Sequence, residues 1–301
     1  MGKKYLIIIG GPTASGKTAI AIEVAKYFDT EIISADSRQF YREMNIGTAK
    51  PTKEELSARP HHFINSLPIE VEYSVGDFEK DALALMEQLY QKHDYLVMAG
   101  GSGLFIKAVC EGLDEFPEVP LVVKQALEED YKQYGIAFLQ EELKESDPVY
   151  FAQADVNNPY RLLRALSVTR ASGRPFSSFR SNTKASRAFV PIYIQLDWER
   201  EVLYRRINER VDQMMAQGLL AETKELFPKK QLNALQTVGY QELFDFFDGK
   251  KTLEEAVEMI KQNSRRYAKR QMTWFRRDDH WARFHPTELA AIIDFIKRKS
   301  V

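Results

Sequence analysis

A chain of 301 residues with 44% apolar and 28% charged side chains can bury a sizeable core, in one large domain or two unequal ones. Its formal charge of -1 excludes a polybasic nucleic-acid coat, though not a local basic patch. The single cysteine, Cys110, excludes an internal disulfide and a cysteine-built zinc site, and is expected to be a small buried apolar residue.

Two lysines and five apolar residues precede the first glycine loop, too short a run for a signal-peptide core or a membrane span. A cytoplasmic protein without membrane contact is therefore expected. Tyr5–Ile9 predicts a strand, "GGPTASGKT" follows it, and a helix is predicted over Thr18–Phe28. The loop fits G-x-x-x-x-G-K-[ST] at Gly11, Gly16, Lys17 and Thr18. Backbone N–H groups from Gly11, Pro12, Thr13, Ala14, Ser15 and Gly16, less the proline's missing one, would face an anion beside the helix N-terminus. Lys17 would add a point charge and Thr18 is the candidate magnesium ligand. The motif implies a pyrophosphate and leaves its carrier open.

A second strand, Glu31–Ser34, places Asp36 at the carboxyl edge of a parallel sheet, where ligands bind. There a carboxylate orients a metal, accepts a proton, or merely caps the next turn. "ADSRQFYREMNIGTAKP" continues with Ser37, Arg38 and Gln39. His61 and His62 are adjacent, which suits a local structural role better than metal binding. A helix near Gly76–Lys92 and a strand at Tyr95–Ala99 follow, then "AGGSGLF" with Ser102, whose glycines would permit close backbone approach to a ligand. The strand "DYLVMAGGSG" lacks the aspartate that an ATP-hydrolysing P-loop protein places there. The alternation predicts an α/β fold: a P-loop NTPase-like parallel sheet flanked by helices.

Between residues 118 and 188 the pattern turns helical, over Val122–Tyr134, Ile136–Glu145 and Tyr160–Ala171, with Ser172–Ser186 expected as a flexible basic loop. Residues 118–188 are therefore expected to be a helical insertion domain in a core of residues 1–117 and 189–301. A strand at Ile192–Leu196 resumes the sheet. The tail from Leu253 to Arg277 has a helical period, and between Lys261 and Arg277 it carries seven basic residues and no acidic one.

In order, "GGPTASGKT", "ISADSRQFYREMNIGTAKP", "HHF", "AGGSGLF", "NPYRLLRALSV", "TVGYQEL" and "AKRQMTWFR" resemble the successive motifs of the tRNA isopentenyltransferase family, in its short bacterial form. The resemblance implies transfer of a dimethylallyl group from dimethylallyl diphosphate to the exocyclic N6 of the adenine just 3′ of a tRNA anticodon. It implies Asp36 as the base, and Thr13, Lys17 and Arg210 beside the leaving diphosphate with Mg2+. It implies tRNA contacts at Asp36, Ser37, Arg38, Gln39 and Ser102, and at Lys124, Tyr160, Arg161, Leu162, Leu163 and Arg164 of the insertion. Further contacts fall at Gly239, Tyr240, Gln241, Lys269, Arg270, Gln271, Trp274 and Arg276. A monomer is expected, because the anticodon stem-loop supplies the large partner surface. Three other classes remain open: an adenine-nucleotide prenyltransferase, a P-loop small-molecule kinase, and a non-catalytic RNA-binding protein.

Overall fold

The protein is described by a computed structural model over residues 2–181 and 183–300. Six parallel strands form one sheet: β1 (Tyr5–Gly10), β2 (Ile32–Ser34), β3 (His61–His62), β4 (Tyr95–Gly100), β5 (Val190–Leu196) and β6 (Ala282–Phe284). Their order is β3-β2-β4-β1-β5-β6. All six residues of β1 are buried, as a central parallel strand covered on both faces requires. Its alternation sends Leu6 and Ile8 into one apolar cluster, with Phe78 and Met86. Ile7 and Ile9 enter the other, with Ile20, Val24 and Ile296. Register aligns Gly10 with Gly100 and Gln195, so the loops after β1, β4 and β5 share one edge.

The helices follow in chain order: α1 (Lys17–Tyr27), α2 (Lys53–Ala58), α3 (Val75–Leu89), α4 (Gly103–Glu111), α5 (Leu121–Ser146), α6 (Pro148–Phe151) and α7 (Pro159–Ser172). Then come α8 (Arg200–Ala216), α9 (Leu219–Leu226), α10 (Tyr240–Phe247), α11 (Leu253–Phe275) and α12 (Leu289–Lys299). Capping boxes start three of them, Thr52 with Glu55, Ser74 with Asp77, and Thr252 with Glu255.

The chain divides into two compact units, residues 1–111 with 186–301, and residues 112–185. The second has no strand among its described residues, and its core gathers Leu127, Leu139, Leu143, Leu162 and Leu166. Two helices predicted there run together as α5, broken at Gly135, whose φ of 77° and ψ of -172° leave the helical region.

Several expectations need correction. Ser172–Ser186 is not uniformly loose: Phe176–Phe179 forms a 3₁₀ turn, Phe176 is buried, and Ser177 donates to Asp147 through N–H (2.6 Å) and hydroxyl (2.7 Å). Asn182 lies outside the described residues. The short strands β3 and β6 add two members to the sheet that periodicity could not show. Cys110 is buried as expected, and burial pushes its thiol up to about 12. His62 pairs with Glu31 at 2.6 Å while His61 Nδ1 meets the Arg59 carbonyl at 2.8 Å. No metal-holding cluster of three His, Cys, Asp or Glu occurs among the described residues, and none of the described helices is long and apolar enough to cross a membrane.

Candidate active site

The loop after β1 turns through three positive φ angles, Gly11 (150°), Ala14 (61°) and Gly16 (89°), and Gly16 caps α1. The turn is braced from outside. The Pro12 carbonyl accepts from Lys17 Nζ (2.7 Å), the Ala14 carbonyl from Arg206 Nε (3.0 Å) and the Ser15 carbonyl from Trp198 Nε1 (3.0 Å). These contacts tie back three carbonyls of the expected anion cradle, and of its amides the Thr13 N–H is taken by Gln271 (2.8 Å) and the Ser15 N–H by the Pro12 carbonyl (3.3 Å). Ser15 Oγ is buried and has no hydrogen-bond partner among the described groups.

This loop lines a cleft of about 580 Å³ together with Asp36, Ser37, Arg38, Gln39, Arg210, Gly239 and Gln271. Burial first and the Arg210 charge second, opposed by Asp36, bring the Lys17 ammonium down to about 8. Burial likewise lowers Arg210, against the attraction of Asp36. These three groups therefore share one field, in which an incoming anion would favour the charged form of Lys17 and offset the mutual repulsion of the two cations.

Asp36 Oδ1 accepts the Arg38 N–H at 3.0 Å, so it does cap its own turn as well as line the cleft. Ser102 Oγ accepts from the Ser37 N–H at 3.1 Å. Gln39, expected at the base, is committed to its loop: its amide nitrogen donates to the Thr48 (3.2 Å) and Ala49 (3.3 Å) carbonyls, and its oxygen accepts from Ser34 (3.2 Å). Sequence patterns gave no hint of Glu222, which accepts the N–H groups of Asn45 (3.0 Å), Ile46 (2.8 Å) and Gly47 (3.0 Å) and the Tyr240 hydroxyl (2.7 Å). It fixes the far end of the Asp36 segment.

Helix α11 forms the facing wall, and its basic residues divide. Lys261 pairs with Asp212 (2.8 Å) and Glu258 (3.1 Å), and Arg265 donates to Asn208 (2.6 Å), so its first half is tied down. Lys269, Arg270 and Arg276 are exposed, as is Gln241, whereas Gly239 is buried. Gln271 is 6% exposed, accepts the Thr13 N–H at 2.8 Å and donates to the Gly101 carbonyl at 3.0 Å. It is a strut between the phosphate loop and the β4 turn. The glycines of "AGGSGLF" are filled by the protein's own side chains and not by a ligand. A Cβ on Gly101 would lie 2.2 Å from Gln271 Nε2, and one on Gly103 would lie 2.0 Å from Trp274 Nε1. Tyr240 is fully buried beneath Gly47.

The remaining candidates lie in the helical unit. Lys124, Tyr160, Arg161 and Arg164 are exposed, Leu163 is half-buried, and Leu162 fills the unit's core. Fold and site define a P-loop protein built for group transfer, with a carboxylate beside its anion cradle.

A family model described as IPP transferase matches residues 39–278. The tRNA dimethylallyltransferase of Christiangramia forsetii is 54% identical over 297 residues, covering 98% of each chain. That of Flavobacterium johnsoniae is 49% identical over 300 residues, covering 97% of each. Among solved structures, the full-length tRNA isopentenylpyrophosphate transferase of Bacillus halodurans is 37% identical and superposes with a TM-score of 0.74, over 99% of this chain and 97% of that one. A eukaryotic dimethylallyltransferase acting on tRNA is 26% identical with a TM-score of 0.77, over 90% of this chain and 70% of that one. The chain belongs to the IPP transferase family and is a prenyltransferase.

Proposed function

We propose that the chain transfers the dimethylallyl group of dimethylallyl diphosphate to the exocyclic N6 of the adenine 3′-adjacent to a tRNA anticodon. The observation that carries this reading is the opening of the phosphate loop and the Asp36 carboxylate onto one cleft. The diphosphate of the donor occupies the loop, held by its amides, Thr13, Lys17 and Arg210. The adenine enters from the side of Ser37, Arg38 and Ser102, turned out of its stack so that its edge reaches Asp36.

The amine of adenine is a weak nucleophile, because its lone pair is delocalised into the ring. As N6 bonds to the allylic carbon, the carbon–oxygen bond breaks, its electron pair leaves with the diphosphate, and the N6 proton passes to Asp36. Lys17, Arg210 and the loop amides stabilise the charge that builds on the departing oxygen. The oxygen donors in the cleft, the Thr18 hydroxyl and the Asp36 carboxylate, suit Mg2+, which takes one or two protein ligands plus phosphate oxygens and would neutralise diphosphate charge.

Lys269, Arg270, Arg276 and Gln241, with Lys124, Tyr160, Arg161 and Arg164 of the helical unit, present exposed groups to the RNA backbone. Leu162, Tyr240 and Gln271 support those surfaces from within. The test is release of diphosphate from dimethylallyl diphosphate with and without an anticodon stem-loop RNA. RNA-dependent release is expected. Turnover of ATP on a small molecule, with no dependence on RNA, would instead mark a kinase.

A further inference from the structure

Tyr267 is the one exposed large apolar side chain of the described residues that lines the cleft. It is 37% exposed, although Ala268 and Met272 on the same helix are buried. Ser264 and Gln271 lie one turn to either side of it and line the same cleft, so α11 presents this face inward. The Tyr267 hydroxyl lies close to Ser102 and in the fields of Asp36 and Arg38. The Arg270 guanidinium sits 5.7 Å from the ring centroid, within cation–π range.

A partly exposed aromatic ring in a cleft lined by charged groups offers a stacking surface to something flat and apolar. Asp36 and Arg38, in whose fields the Tyr267 hydroxyl lies, line the same cleft. The flat group that must reach Asp36 is the acceptor base. We propose that Tyr267 is a positioning residue that stacks on the turned-out adenine and sets its N6 against Asp36. This inference rests on the acceptor assigned above. Burial, with Asp36 next, pushes the Tyr267 hydroxyl up to about 12, so it remains a neutral donor to its neighbours at working pH.

The test uses an anticodon stem-loop RNA with 2-aminopurine at the acceptor position, a fluorophore quenched by stacking, beside the normal RNA as substrate. Prenylation of the normal RNA by the unaltered enzyme establishes the reaction independently. In Tyr267→Leu the emission of the bound probe should rise severalfold, and the KM for RNA should rise on the order of tenfold, while the KM for dimethylallyl diphosphate is unchanged. Tyr267→Phe and Tyr267→Trp should behave like the unaltered enzyme, since each keeps a stacking face. Unchanged emission and RNA KM in Tyr267→Leu would overturn the proposal. So would a Tyr267→Phe variant as impaired as Tyr267→Leu, which would assign the effect to the hydroxyl.

Discussion

The two halves of the cleft are built from different materials. The half proposed to hold the diphosphate is backbone: one contiguous turn after β1, braced by carbonyl contacts to Lys17, Arg206 and Trp198. The half proposed for the acceptor is side chains delivered by distant segments, Asp36 after β2 and Tyr267 and Gln271 from α11, with Ser102 after β4 accepting the Ser37 N–H. A backbone cradle tolerates substitution of most side chains within it, because amides do the binding. A side-chain wall depends on each segment's placement, and one misplaced residue disables it.

The largest expected effect breaks the acceptor half alone. Asp36→Asn should lower turnover by about 10²–10⁴-fold, the usual range for losing a general base, while leaving RNA affinity within a few-fold. Single-turnover kinetics and filter binding separate the two. Next is Gly100→Ala, whose Cβ would stand 2.1 Å from the Ala35 carbonyl oxygen, one residue before Asp36. Backbone must move, so denaturant melts should show a loss of at least about 1–3 kcal/mol, with catalysis falling further than diphosphate binding.

Gln271→Ala probes the strut between the halves. It leaves the Thr13 N–H and the Gly101 carbonyl without their partner, at about 1–3 kcal/mol. The KM for dimethylallyl diphosphate should rise by roughly the matching factor of 5 to 150, and a purely RNA-side defect would contradict the assigned role. The smallest effect is on the diphosphate half. Lys17 carries its charge below about 8 in the free protein and loses it above, so pyrophosphate affinity should decline as pH rises through that value. Lys17→Arg stays charged and should show a flatter profile over the same range, measured by calorimetry.

This division also explains what the sequence disclosed. The phosphate loop was legible because strand, glycines, lysine and helix are contiguous, and Asp36 because it closes a short apolar run at a parallel sheet's edge. Tyr267 was not legible: its helical spacing with Ile260 and Trp274 is what a core stripe looks like, and nothing local tells which aromatic is left uncovered. The glycines of "AGGSGLF" misled for the same reason, since the side chains that fill their space, Gln271 and Trp274, arrive from some 170 residues away. Glu222 reaches back a comparable distance to Asn45, Ile46 and Gly47. Strand β3 spans two residues, too few for any period to register, and β6 spans three with Arg283 interrupting the apolar run.

The most direct test is mass spectrometry of nucleosides from unmodified tRNA incubated with the protein, dimethylallyl diphosphate and Mg2+. A gain of one dimethylallyl group on the adenosine 3′-adjacent to the anticodon is expected, absent with Asp36→Asn. Unmodified tRNA alongside prenylation of free adenine nucleotides, or phosphoryl transfer from ATP, would contradict it.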